Sequence, residues 1–274
     1  MNIKEVQDRS FEVLCIIDDI CKKEGIPYFL DGGTELGAVR EKDIIPWDDD
    51  IDIKLDWKYY KAFREAMKKN LPEHLHLVEP EDFAPAFYDF TIRILDDRFL
   101  LRKETEEDRY YKNLQNRVGV DVFVLFKFPA KGIKRTLSYY RMKLIYGMGM
   151  GHRKSLDYKK YTFAEKCGVS LMSTLGKLIP AKKICRHFFI LVDKMHNKPL
   201  TACWCNILTS WCIIPYEWMQ DSTTAILRGR EFPIPAGFDS ELRTYYGDYM
   251  TPPKDITQFN QHLDNEDRYI STTN

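Results

Sequence analysis

The sequence predicts an α+β fold in which short strands and flanking helices lie toward both ends of the chain, with a helical insertion or cap between them. Three observations carry this. Residues 118–128, VGVDVFVLFKF, crowd Val and Phe into alternating and adjacent places, as a buried strand does. Residues 2–24 carry an apolar stripe at helical spacing, and Gly25-Ile26-Pro27 stops it. Residues 131–198 turn basic, helical in pattern and rich in Met, Tyr and Phe. The chain divides accordingly into a core over 1–130, an insertion or cap over 131–200, and a C-terminal segment over 201–274 that completes the core.

The elements follow in order. The first helix points Val6, Phe11, Leu14, Ile17 and Ile20 inward. A short strand over 26–30 leads through Gly32-Gly33 into a helix over 34–40, and a second strand covers 50–55. A helix over 58–69 turns Tyr59, Phe63, Ala66 and Met67 inward until Leu71-Pro72 stops it. Strands over 76–78 and 90–95 precede the strand at 118–128. Helices are expected over 135–150, 163–178 and 184–195, then mixed strand and loop over 204–214. Residues 232–235, FPIP, are extended, because each proline restricts the residue before it. A helix over 239–246, capped by Asp239 or Ser240, precedes a closing segment through Pro252-Pro253. The residues after His262 are polar and expected to be loose.

Residues 30–55, LDGGTELGAVREKDIIPWDDDIDIKL, concentrate the chemistry. Asp48, Asp49, Asp50 and Asp52 fall within five positions, and Asp50 and Asp52 alternate with Ile51 and Ile53. On a strand, a period of two puts both carboxylates on one face. Like charges held together repel, and Mg²⁺ is typically held by one or two carboxylates plus substrate phosphates. A solvated acidic loop is the plain alternative, but Ile51, Ile53 and Leu55 place the pair on a strand. A calcium loop fails, because its Gly and Glu positions, counted from Asp48, hold Ile53 and Tyr59. Gly32, Gly33 and Thr34, at a helix start, offer backbone N–H groups to phosphate. Neither a Walker loop nor G-x-G-x-x-G is present. The expected chemistry is metal-dependent phosphate transfer.

Asp121 interrupts the apolar strand at 118–128. A charge in a buried strand is costly unless paired or metal-bound. Asp121 is therefore an edge residue facing solvent, or a third metal carboxylate on the face of Asp50 and Asp52. Arg93, in FTIRILDD, either clamps a phosphate, neutralises the aspartate cluster, or pairs with Asp96 or Asp97. Arg40 and Lys42 flank the helix before the aspartates and are further candidates for phosphate contact. Asp48 and Asp49 are candidate substrate contacts.

Composition narrows the function classes. The 274 residues carry 41 basic and 41 acidic side chains, a formal net charge of zero. Sequence-independent nucleic-acid binding needs a cationic surface, so it is disfavoured. Seven cysteines include no CxxC pair, which speaks against zinc and for buried, reduced thiols in a cytoplasmic setting. The charged N-terminus is not a secretory h-region, and no apolar run is long enough to span a bilayer. The helical middle, bounded by KGIKR and AKKICRH, either covers the site or touches the inner face of an anionic membrane.

Residues 30–55 closely resemble the signature of the LicD family, which includes bacterial phosphocholine transferases and fukutin-type proteins. Residues 232–253, FPIPAGFDSELRTYYGDYMTPP, resemble the family's closing motif, and FTIRILDD and VGVDVF match more loosely. The resemblance implies a nucleotidyltransferase-like mixed β-sheet flanked by helices. It implies Gly32-Gly33-Thr34 as the turn, and Asp50, Asp52 and Asp121 as catalytic and metal-binding residues with Mg²⁺ or Mn²⁺. One departure is the DVFVLF at 121–126, where Val124 and Phe126 replace a proline and a later acid of the family. The implied reaction moves phosphocholine from CDP-choline to a hydroxyl of a glycan or glycolipid, a teichoic acid or lipopolysaccharide precursor, releasing CMP. Choline would need an aromatic cage. A CDP-ribitol or CDP-glycerol donor, or a scaffold without activity, are the other readings of the same residues.

Overall fold

A computed structural model describes residues 1–206, 208 and 212–252. Helix α1 (Ile3–Glu24) begins where the Asn2 side chain accepts the Glu5 N–H at 2.9 Å and Glu5 returns to the Asn2 N–H. Gly25, at φ 66°, ends it. There follow β1 (Phe29–Leu30), α2 (Gly32–Arg40), β2 (Asp52–Asp56), α3 (Trp57–Asn70), β3 (Leu75–Val78) and β4 (Ile92–Leu100). A short helix α4 (Glu106–Tyr110) leads to β5 (Arg117–Phe128). Helices α5 (Gly132–Gly149), α6 (Phe163–Gly176) and α7 (Ala181–His196) come next in succession. Strands β6 (Ala202–Cys205) and β7 (Ile214–Pro215), the β8 (Ser222–Leu227) and β9 (Arg230–Pro235) ribbon, and α8 (Phe238–Tyr246) complete the described chain.

The arrangement is α+β, a mixed sheet flanked by helices. The sheet runs β1-β2-β5-β4-β3, with β6 and then β7 attached to β5. Strands β2 and β5 are parallel, and the other pairs are antiparallel. The long strand β5 sets every register near the site. It pairs Asp121 with Asp52 on one side and with Arg93 on the other. Where β4 leaves β5, Asn206 takes over the backbone bonds. Its Oδ1 accepts the Val124 N–H at 3.1 Å, and its Nδ2 donates to the Phe90 carbonyl at 2.6 Å. One core packs Leu14, Ile17, Ile53, Phe63 and Val122 beneath α1 and α3. A second packs Phe90, Phe126, Phe188 and Trp204 beneath α5 and α7. Each such fully buried side chain contributes about 1.5–3 kcal/mol.

Several elements differ from the sequence expectation. The strand expected over 26–30 pairs only at Phe29–Leu30, whose partners are Lys54 and Ile53 of β2. Gly32 and Gly33 form the first turn of α2 and do not precede it. Strand β2 starts at Asp52, where pairing with β5 begins, so Asp50 lies outside it and the alternation argument does not reach Asp50. Tyr60, not Tyr59, is the buried tyrosine of α3. Helix α8 starts from Gly237 with no side-chain cap, so neither Asp239 nor Ser240 has that role. The prolines of β9 sit in a two-stranded ribbon, where a missing N–H is tolerated. Part of 204–214, Pro253 and the tail after His262 lie outside the described residues. Among the described residues, no helix is long and apolar enough to cross a membrane.

Candidate active site

Three neighbouring strands carry the central row of the site. Asp52 on β2, Asp121 on β5 and Arg93 on β4 are direct cross-strand partners, and such partners project to one face of a sheet. The expected juxtaposition of Asp52 and Asp121 is therefore present, and Asp121 is no solvent-facing edge residue. Arg93 Nε lies 3.2 Å from Asp121 Oδ1. Its two terminal nitrogens donate to Asp89 at 3.0 and 2.6 Å, and the guanidinium lies 5.2 Å from the Tyr88 ring. Asp96 and Asp97 instead hold Arg98 and Arg117. Arg93 thus pairs with Asp121 and Asp89, and not with Asp96 or Asp97.

The start of α2 clamps Asp52 from the other side. Thr34 Oγ1 accepts the Asp52 N–H at 2.9 Å, and the Asp31 N–H donates to the Asp52 carbonyl at 3.0 Å. Gly32 is left-handed at φ 52°, and a Cβ there would stand 3.4 Å from Asp52 Oδ2. A Cβ on Gly33 would collide with the carboxylate of Asp48. The glycine pair therefore lets two carboxylates approach the helix start closely, a use distinct from the phosphate cradle the sequence suggested. The carboxylates of Asp48, Asp49 and Asp50 converge within 4.8 Å of one another. Asp50, Asp52 and Asp121 do not form such a triple among the described residues. Asp121 is drawn to Arg93, and Asp50 lies two residues before the strand.

The acids repel. Burial and then Asp50 push Asp48 up to about 9, and a hydrogen bond between the Asp48 and Asp50 side chains adds to the shift. Such a bond between two carboxyls requires a proton on one of them. Burial, with Asp50 and Asp121 as the next causes, raises Asp52 well above the usual carboxylate range. Burial also raises Asp121 to about 6, against the lowering effect of Arg93. Crowded carboxylates of this kind suit a hard divalent cation, which would replace the shared proton. On that chemistry the residues at 48–52 fit Mg²⁺ or Mn²⁺.

Sequence reading missed the ion cluster behind this row. Lys54 is on β2, two residues from Asp52 and on the same face. It is fully buried, and its Nζ lies 2.6 Å from Glu241, 2.8 Å from Glu35 and 3.1 Å from Asp31. One lysine thus joins β2, both ends of the first turn of α2, and α8. Three acids around one ammonium leave excess negative charge. Burial accordingly raises Glu35 to about 8, and Lys54 stays charged. The signal was visible as a lysine inside the apolar run IDIKL, where a buried charge demands partners.

Two clefts meet at the row, and a third lies beside it at Asp48 and Asp50. One of about 360 Å³ joins Asp50 and Asp121 to Arg93, Arg102 and Arg117. A second continues from Asp121 past Tyr88, Tyr146 and Arg153. A third joins Asp48 and Asp50 to Gly33, Trp47, Tyr246 and Asp248. Arg40 lines this third cleft, but its Nε pairs with Glu41 at 2.7 Å and it donates to the Tyr249 carbonyl at 2.9 Å. Lys42 is exposed just beyond the other end of α2 from Gly33, roughly 13 Å away at 1.5 Å per residue. The structure does not bring it to the acidic row.

Comparison with known proteins agrees with the motifs. Residues 25–144 match the model of the LicD/FKTN/FKRP nucleotidyltransferase domain. The lipopolysaccharide cholinephosphotransferase LicD of Haemophilus influenzae is 26% identical over 289 aligned positions, covering 98% of each chain. The LicD resemblance read from residues 30–55 holds, and the pairwise match extends it through the closing motif.

Proposed function

With the LicD resemblance as premise, we propose that this chain is a phosphotransferase of nucleotidyltransferase-like fold. It moves phosphocholine from CDP-choline to a hydroxyl of a lipopolysaccharide-type glycan precursor and releases CMP. Residues 1–130 are the catalytic core, 131–200 an insertion, and 201–274 its completion, acting at the cytoplasmic face of the envelope. The observation that carries this reading is the registered row of Asp52, Asp121 and Arg93, with Asp48 and Asp50 at its edge and clefts on either side. Phosphoryl-type transfer asks for positioning and charge neutralisation more than covalent help, and a crowded acidic row suits that demand.

In this account Asp48, Asp49 and Asp50, whose carboxylates converge, would hold the cation, with Asp52 and Asp121 beside them. A bound Mg²⁺ or Mn²⁺ would supply charge neutralisation for the diphosphate and the leaving CMP. The acceptor oxygen attacks the phosphorus bearing choline, the bond from that phosphorus to the bridging diphosphate oxygen breaks, and the hydroxyl proton passes to Asp121. A carboxylate raised to about 6 is still ionised at neutral pH and is a stronger base than an ordinary one. Arg93 keeps Asp121 aimed into the cleft. The family's later acid, replaced here by Phe126, is not needed for these roles, and Phe126 is buried in the core.

One observation favours choline over a polyol head group. The cleft at Gly33 combines the aromatic residues Trp47 and Tyr246 with Asp48, Asp50 and Asp248, and quaternary ammonium groups bind aromatic faces within negative surroundings. A polyol would ask for hydrogen-bond donors in their place. The test is a screen of CDP-choline, CDP-ribitol and CDP-glycerol for metal-dependent CMP release, with and without glycan acceptor. Release from CDP-choline supports the proposal. Release from CDP-ribitol alone replaces it with polyol-phosphate transfer, and release from none leaves a scaffold.

A further inference from the structure

We propose that the α5–α6 hairpin is a docking surface for a bilayer containing anionic phospholipid. This inference stands independently of the donor and the reaction. On α5, Ile133, Leu137, Tyr140 and Leu144 are 70%, 64%, 61% and 48% exposed. Their spacing puts them on one helical face. On α6, Phe163, Leu171, Leu175 and Leu178 are 83%, 58%, 43% and 79% exposed. Leu178 lies just past the helix end, and the other three share a face. Helix α6 buries only Ser173 and Gly176. Its small-residue edge presses directly on the end of α5, for a Cβ on Gly176 would overlap the Met148 carbonyl and one on Gly151 the Ser173 carbonyl. The two helices therefore form one packed unit, and a soluble chain rarely leaves so many large apolar side chains of one such unit exposed to water.

Charge identifies the occupant. Between residues 131 and 183 there are thirteen lysines and arginines against two acids, Asp157 and Glu165, a local excess of eleven in a chain of zero net charge. Lys134 and Arg141 are exposed beside the α5 stripe, and Lys166 and Lys177 beside that of α6. An apolar face rimmed by cations is what an interfacial helix presents to anionic head groups. A protein partner or a second copy would find the same apolar residues, but neither accounts for eleven excess positive charges on two neighbouring helices and their flanks.

Co-sedimentation of the full chain with vesicles tests this. The vesicles are phosphatidylcholine alone or an equimolar mixture with phosphatidylglycerol. Binding to the mixed vesicles is expected to exceed that to phosphatidylcholine at least tenfold and to weaken as salt rises. The triple variant Phe163→Ser, Leu171→Ser, Leu178→Ser should lose at least tenfold of that binding with an unchanged melting temperature. Lys134→Glu with Arg141→Glu, both at exposed positions where folding is not at stake, should lose it as well. No preference of the wild-type chain for the mixed vesicles overturns the proposal. So does retention of binding by the charge-reversal variant, or a dimer in sedimentation velocity that the triple variant abolishes.

Discussion

Lys54→Met isolates the buried ion cluster. The change keeps most of the length of the side chain and removes its charge, leaving Glu35 and Glu241 fully buried beside Asp31 with no cation. Taking one partner from a buried pair costs about 3–5 kcal/mol, because the other charge is left uncompensated. At roughly 2–4 °C per kcal/mol for a large domain, the melting temperature should fall by roughly 6–20 °C. Thermal unfolding followed by circular dichroism at neutral pH measures it. Adding Glu241→Gln to the variant should return part of the loss, since it removes one of the stranded acids, and Lys54→Arg should lose less than Lys54→Met. A loss below about 1 kcal/mol, the value of an exposed pair, would refute the argument that Lys54 holds β2, α2 and α8 together.

Three further outcomes follow from the same geometry. Folding raises Glu35 from 4.5 to about 8. The native state then keeps a proton that the unfolded chain has released, so Glu35 lowers stability progressively as pH rises from about 4.5 to about 8. Glu35→Gln should flatten that slope, as read in pH-dependent melting curves. Gly33→Ala should lower kcat by on the order of a hundredfold, because its Cβ displaces the Asp48 carboxylate, and steady-state CMP release reports it. Asp121→Asn should lower kcat by about 10²–10⁴-fold, the contribution of a positioned base, with the KM for donor little changed. In the wild type the rate should rise with pH through about 6 as Asp121 ionises, and the variant should lose that limb.

The parts of the fold legible in the sequence were those with strong periodicity. The α1 stripe, with Gly25 after it, and the Val and Phe run of β5 map onto observed elements within one or two residues. Short strands were less legible, because β1 is defined by two pairs with β2 and not by its own residues. The alternation of Asp50 with Asp52 suggested one strand face, yet pairing starts at Asp52, and the chain before it bends so that Asp48 rests on Gly33. The meeting of Asp52, Asp121 and Arg93 was half legible. Each was conspicuous as a charge in apolar surroundings, but which acids Arg93 would hold depended on register. Lys54 with Glu241, 187 residues apart, had no local signal for the partner, since only tertiary packing brings α8 to β2.

The most direct test of the central claim is calorimetric titration of Mg²⁺ into the folded chain in the presence of CDP, for the wild type and for Asp50→Asn. The account predicts saturable binding by the wild type, and at least a tenfold loss of affinity in the variant with an unchanged circular dichroism spectrum. Equal affinity in the two proteins would contradict it.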